Sequence, residues 1–108
     1  MVDFGLSKFY IKDGKHIDDR AGQCYFVGTA GYSSINSHRD MEQSRRDDME
    51  SLANIMVYLR AGRLPWHRLP AGNKTHKERY QMIVRKKEET SLEDLITEDM
   101  PCKYSYLI

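Results

Sequence analysis

Two stretches of the chain carry apolar residues at helical spacing, and the rest shows little period. From Arg46 to Ala61 the apolar positions Leu52, Ala53, Ile55, Met56, Val57 and Leu59 cover nearly the whole circumference of a helix. A helix that is apolar all round is normally buried on all sides, so a central helix surrounded by several elements is expected here. Asp47, Asp48 and Glu50 place carboxylates near its start, where they complement the positive end of the helix dipole. Gly62 follows the last helical position, as a C′ glycine does. Leu64-Pro65-Trp66 adds a proline stop, and Pro70-Ala71-Gly72-Asn73 reads as loop. Thr75 to Glu88 reads as an amphipathic helix, with Tyr80, Ile83 and Val84 on its apolar face and lysines and arginines opposite. Thr90 and Glu93 have capping-box spacing for a short third helix through Ile96.

Residues 1–36 are different, being rich in aromatics and turn formers. Phe9-Tyr10-Ile11 predicts a short strand, Asp13-Gly14 a turn, and His16-Ile17 a returning strand. From Asp18 to Ser37 the chain has no clear period and is punctuated by Gly22, Gly28 and Gly31, which predicts a long connection. Connections of that length tend to be functional or mobile.

The chain has 108 residues, enough for one domain. Apolar residues at 40% and charged residues at 31% suit a globular protein rather than a disordered one. A net charge of +1 points to neither nucleic acid nor a membrane surface as a partner. No apolar run approaches the length of a membrane span, and the first residues do not resemble a signal peptide. Cys24 and Cys102 lie far apart without metal spacing, which suggests free thiols in a reducing compartment, cytoplasm or nucleus. His16, His38, His67 and His76 show no ligand spacing, and Met41, Met49, Met56 and Met82 read as core filler.

Four segments carry chemistry by their order. Asp3-Phe4-Gly5 leads into Leu-Ser-Lys. Gly28-Thr29-Ala30-Gly31-Tyr32 runs into Ser33-Ser34-Ile35-Asn36. Glu42-Gln43-Ser44-Arg45-Arg46-Asp47-Asp48 opens the central helix, and Gly62-Arg63-Leu64-Pro65-Trp66 follows it. This succession resembles the casein kinase 1 family of serine/threonine protein kinases, which has Ser-Ile-Asn where most kinases have Ala-Pro-Glu. The likeness is close over residues 2 to about 70 and loose over 71–96. It implies a mainly α partial kinase C-lobe. That lobe would comprise an activation segment with a short β hairpin (1–37), then a helical part (38–108) of one large central helix, one amphipathic helix and a short C-terminal helix.

The resemblance assigns roles residue by residue. Asp3 would be a magnesium ligand, since magnesium prefers carboxylate and phosphate oxygens, with Phe4 packing as the adjoining hydrophobic switch and Gly5 turning the backbone. Taken alone, Asp3 reads equally as a solvated carboxylate beside a strand. Thr29 would bond the catalytic aspartate and fix the substrate platform, with Tyr32 packed beneath; alone it is a turn threonine. Ser34, Ile35, Asn36 and Trp66 would be structural. Asp48 would accept backbone N–H groups of the catalytic loop, and alone it is a helix-dipole carboxylate. Lys74 and Lys77 fall near a basic stretch that in the family helps bind acidic or prephosphorylated substrates. The matching arginine of that anion site is Gly31 here, so a solvated helix face is the simpler reading of both lysines.

Phosphoryl transfer also needs a glycine-rich loop, a strand lysine paired to a glutamate, and a catalytic loop with its aspartate base. None of these runs occurs in the 108 residues. His38-Arg39-Asp40 spells a catalytic-loop triplet, but it follows Asp-Phe-Gly and lacks the downstream asparagine. The family implies Mg2+ and ATP as cofactors; this chain alone is expected to bind neither. Asp18-Asp19 in place of a Pro-Tyr pair and Ala53 in place of a usual glycine also depart from the family. The expectation is a kinase fragment without activity of its own. The alternative is a non-catalytic, pseudokinase-like interaction module. Protein substrates or other kinase chains are its expected partners, and self-association or a partner is expected to cover the central helix.

Overall fold

Short hydroxyl side chains decide where each helix begins. The computed structural model describes residues 4–18, 26, 28–70 and 72–96. Ser34 caps α1 (Ile35–His38), its Oγ accepting from the Ser37 N–H at 3.1 Å. The start of α2 (Arg45–Ala61) is held by Asp47, whose carboxylate accepts the Ser44 N–H at 2.7 Å. Thr75 and Glu78 form a reciprocal capping box at the start of α3 (His76–Glu89). Ser91 caps α4 (Leu92–Leu95), its Oγ accepting from the Asp94 N–H at 3.1 Å. That last cap differs from the expected Thr90–Glu93 pair. The Thr90 hydroxyl instead donates back to the Lys86 carbonyl at 2.6 Å and closes α3, so the next residue is left to open α4.

The only strands among the described residues are β1 (Ile11–Lys12) and β2 (Lys15–His16), paired antiparallel with Ile11 opposite His16. Asp13 and Gly14, at φ +52° and +74°, form the two-residue turn with both central residues left-handed that such hairpins favour. The first strand begins two residues later than expected, and Phe9 is 90% exposed. Arg45 lies over the Tyr10 ring at 4.3 Å and Lys8 pairs with Glu42, which ties the hairpin region to the start of α2. The class is therefore mainly helical with one small hairpin, as expected. The short helix α1, inside what was read as an unbroken connection, is an addition.

The core is small. Val57 of α2, Leu64, Trp66 and Leu95 of α4 are buried together, with Tyr32, Tyr58, Leu69, Ile83 and Ile96 packed against them. The expectation that α2 is buried on all sides does not hold. Asp47, Ala53, Asn54 and Val57 form its buried face. Leu52, Ile55 and Leu59, on the opposite face, remain 46%, 38% and 74% exposed, because no described element packs there. No helix among the described residues is long and apolar enough to cross a membrane. Residues 97–108 lie outside the described residues, as does Asp3.

The end of α2 yields a simple prediction. Gly62 sits at φ +74°, and a Cβ there would meet nothing within 4 Å. Gly62→Ala should therefore cost only the left-handed backbone penalty, roughly 1 kcal/mol, read as a small drop in the urea midpoint with an unchanged slope.

Candidate functional site

Residues 29–35 run across the inner faces of α2 and α3 with almost every carbonyl engaged. The Thr29 carbonyl accepts from Tyr32 N, Ser33 N and Ser33 Oγ. Further along, the bonds come from side chains remote in sequence. Lys87 Nζ donates to the Ala30 carbonyl at 2.7 Å and to the Ser33 carbonyl at 2.6 Å. Trp66 Nε1 donates to the Gly31 carbonyl at 2.7 Å, and Asn54 Nδ2 to the Tyr32 carbonyl at 3.1 Å. Ser34 Oγ donates to Asp47 at 2.8 Å, and the Ile35 N–H donates to Glu50 at 2.9 Å. A loop held this way by buried donors has little freedom left, because releasing any one carbonyl leaves a polar group without a partner inside the protein.

Lys87 is the centre of this arrangement. It is 4% exposed, and its ammonium stands 5.3 Å from the centre of the Trp66 ring. Its third contact is His38 Nε2 at 3.0 Å, and His38 Nδ1 in turn lies 2.8 Å from the Tyr80 hydroxyl. Phe26 stacks on the His38 ring at 5.1 Å with the planes 7° apart. Burial pushes Lys87 down to about 8, against the pull of the Glu50 charge. Burial, and then the Lys87 charge, push His38 down to about 4. Burial also raises the Tyr80 phenol.

No family model matches the chain. Over 97 residues, 88% of its length, it is 46% identical to Casein kinase I homolog 2 of Schizosaccharomyces pombe. The chain is related to the casein kinase 1 family. The match spans 22% of that relative's length.

Within this casein kinase 1-related chain the residues singled out from the sequence fall into two groups. Tyr32, Ser34, Ile35, Asn36 and Trp66 come together in the anchored segment. Tyr32 packs edge-on against Tyr58 and His67 at 5.7 and 5.6 Å. The Asn36 carbonyl accepts from Arg39 N and Met41 N, which turns the chain out of α1. Trp66 is 4% exposed. The second group stands apart. Phe4 is 64% exposed, unlike a buried switch, and Gly5 lies in an exposed turn beside it. Thr29 is exposed and contributes its carbonyl. Asp48 points to solvent, and its neighbour Asp47, 1% exposed, makes the buried contacts.

Lys74 and Lys77 are both exposed. Lys77 lines an open hollow of about 510 Å³ with His38, Tyr80, Arg85 and Glu88; Lys74 does not. At Gly31 an added Cβ would stand 3.2 Å from His67 Nε2, so a side chain there would need that ring to give by a few tenths of an ångström. Among the described residues no three His, Cys, Asp or Glu side chains gather where they could hold a metal.

Lys87, His38, Asp47, Asn54 and Glu50 were not identified from the sequence as site residues. The signal for Lys87 was present: it lies seven residues after Tyr80 and four after Ile83, on the same helical face as both. Nothing comparable marks Asn54, a polar residue within an apolar run.

Proposed function

We propose that the chain forms the substrate platform and surrounding C-lobe helices of a casein kinase 1-type serine/threonine protein kinase domain, and that these 108 residues alone transfer no phosphate. One observation carries the reading: the carbonyls of Ala30, Gly31, Tyr32 and Ser33, in the stretch that resembles the end of a kinase activation segment, are each held by a buried side chain from another part of the fold. Phosphoryl transfer depends on holding an acceptor hydroxyl in line with a phosphate, and a rigid peptide-facing segment supplies that positioning. The chemistry that Mg2+ and ATP supply in such a kinase is charge neutralisation and the transferable group. Asp3, the residue the resemblance assigns to magnesium, lies outside the described residues, so the reading rests on the platform.

The cationic side chains near the segment give the reading a substrate side. Lys77 and Arg85 line the hollow beside His38, so a hydroxyl-bearing peptide with acidic neighbours suits this face better than a basic one. A second reading, a non-catalytic interaction module, draws on the exposed stripe of Leu52, Ile55 and Leu59, which would suit an apolar protein partner.

The test uses the purified chain with radiolabelled ATP, magnesium and a serine-containing acidic peptide. The expected result is no phosphate incorporation above background, with saturable binding of the peptide that a lysine-substituted control peptide lacks. Phosphorylation by the chain itself would overturn the claim of inactivity. Absence of any peptide binding would favour the interaction module over the platform.

A further inference from the structure

The Lys87 ammonium has three hydrogens and meets three acceptors: the Ala30 carbonyl, the Ser33 carbonyl and His38 Nε2. An ammonium has no lone pair, so His38 Nε2 must accept. The single proton of a neutral imidazole then sits on Nδ1 and is donated to the Tyr80 oxygen. These assignments follow from the partners and leave one consistent pattern, Lys87 to His38 to Tyr80. The ring has little room to rotate out of it. Phe26 covers one face, and Tyr80 meets the ring edge-on at 5.1 Å.

A second proton on His38 would break this pattern at Nε2. The acceptor would become a donor facing another donor at 3.0 Å, with two positive charges in a buried place. Two neighbours favour the doubly protonated ring, the Ala30 carbonyl by hydrogen bonding and the Glu88 carboxylate by its charge, but burial and the Lys87 charge outweigh them. From α3 come Lys87 itself, Tyr80, Glu88 and the cations Lys77 and Arg85, which line the hollow beside His38, and Glu88 is already bound by Arg39 through Nε at 3.1 Å and Nη2 at 2.9 Å. From α2, Glu50 bears on Lys87, and its carboxylate accepts the Ile35 N–H. Asp40, beyond α1, bears on Tyr80.

We propose that Lys87 is the positioning residue of the 29–35 segment and that His38 is its conditional third acceptor, so that the segment is held while His38 carries one proton and released when it carries two. The role in substrate positioning rests on the platform reading above; the latch itself does not. The direction of the response follows from the state of His38. Folded, it is held near 4 by burial and the Lys87 charge, against an ordinary value of 6.5. The hold is therefore fully present above pH 6.5 and weakens as the pH falls toward 4.

The experiment is long-range 15N–1H NMR of the imidazoles, together with amide hydrogen exchange corrected for intrinsic rates, on the full chain from pH 7.5 to 4. The expected spectrum shows His38 protonated at Nδ1. Protection of the amides in 29–35 should fall by up to about tenfold per pH unit below 6.5, as expected for an opening coupled to one proton. His38→Gln keeps an acceptor oxygen and does not titrate, so its protection should stay level over the same range. Lys87→Met should lower protection at every pH and return His38 toward ordinary titration. Where that variant fails to fold, the His38→Gln comparison decides. An Nε2-protonated His38, or an unchanged pH response in His38→Gln, would overturn the latch. Peptide binding is read separately at pH 7.5: a working latch in a chain that binds no peptide would refute the platform reading alone.

Discussion

Replacing Trp66 by alanine is expected to cost roughly 3–5 kcal/mol, the range for removing a buried aromatic side chain. That is a large share of the roughly 5–15 kcal/mol a domain has. The size of the effect follows from where the ring sits. It is 4% exposed, and it joins Val57 of α2 to Leu64 and to Leu95 of α4 in the one cluster of buried apolar residues found among the described residues. No second apolar cluster shares the load among the described residues. Trp66 also does polar work, since its Nε1–H holds the Gly31 carbonyl and its face lies under the Lys87 ammonium. Trp66→Phe separates the two contributions. Phenylalanine restores much of the apolar area and an aromatic face for Lys87, but leaves the Gly31 carbonyl without its donor, at a cost of about 1–3 kcal/mol. Urea unfolding followed by far-UV circular dichroism is the suitable measurement, because both variants lose the chain's one tryptophan fluorophore. Equal losses in the two variants would mean that the hydrogen bond to Gly31, and not packing, dominates.

Much of the fold was legible because its signals are local. The Asp13-Gly14 turn, the acidic first turn of α2, Gly62 and the Thr75–Glu78 box each act within a few residues of themselves, and α2 and α3 have the expected extents to within one residue. The four-residue α1 was not legible, since a single turn has no period to detect. The apolar pattern around nearly the whole circumference of α2 was read as complete burial, which the structure does not bear out. Pattern reports what a residue prefers, while the coverage of Leu52, Ile55 and Leu59 depends on which elements are at hand.

The site divides along the same line. Tyr32, Ser34 and Trp66 could be named from the order of motifs. Lys87 could not be separated from Arg85 and Lys86 by residue type, and only its register with Tyr80 and Ile83 marks it as inward-facing. Its burial is tolerable because three acceptors arrive from residues more than forty positions away, a coincidence of folding that no local rule anticipates. His38 has the same history. In sequence it is part of a misleading His-Arg-Asp triplet, and in the structure it is the acceptor that completes the ammonium's set.

The adjacent pair Asp47-Asp48 offers the second large effect and a sharp control. Consecutive residues on a helix point about 100° apart, so only one of two neighbouring carboxylates can face inward. Asp47 does, at 1% exposure, accepting Ser34 Oγ at 2.8 Å and Ser44 N at 2.7 Å, with Arg46 Nε at 3.7 Å. It therefore joins the cap of α2 to the cap of α1, because the same Ser34 oxygen accepts the Ser37 N–H. Asp47→Ala removes two hydrogen bonds to a charged acceptor, each worth about 1.5–3 kcal/mol, and the favourable charge at the helix start. A loss of roughly 3–4 kcal/mol in urea unfolding is expected, with faster amide exchange at Ser37 and His38. Asp47→Asn keeps one acceptor oxygen but turns an amide donor toward the other partner, so it should lose roughly half as much. Asp48→Ala, at an exposed position, should stay within about 0.5 kcal/mol of the parent chain. If Asp48→Ala proved as damaging as Asp47→Ala, the inward carboxylate would have been misassigned, and with it the link between α2 and the Ser34–Asn36 segment.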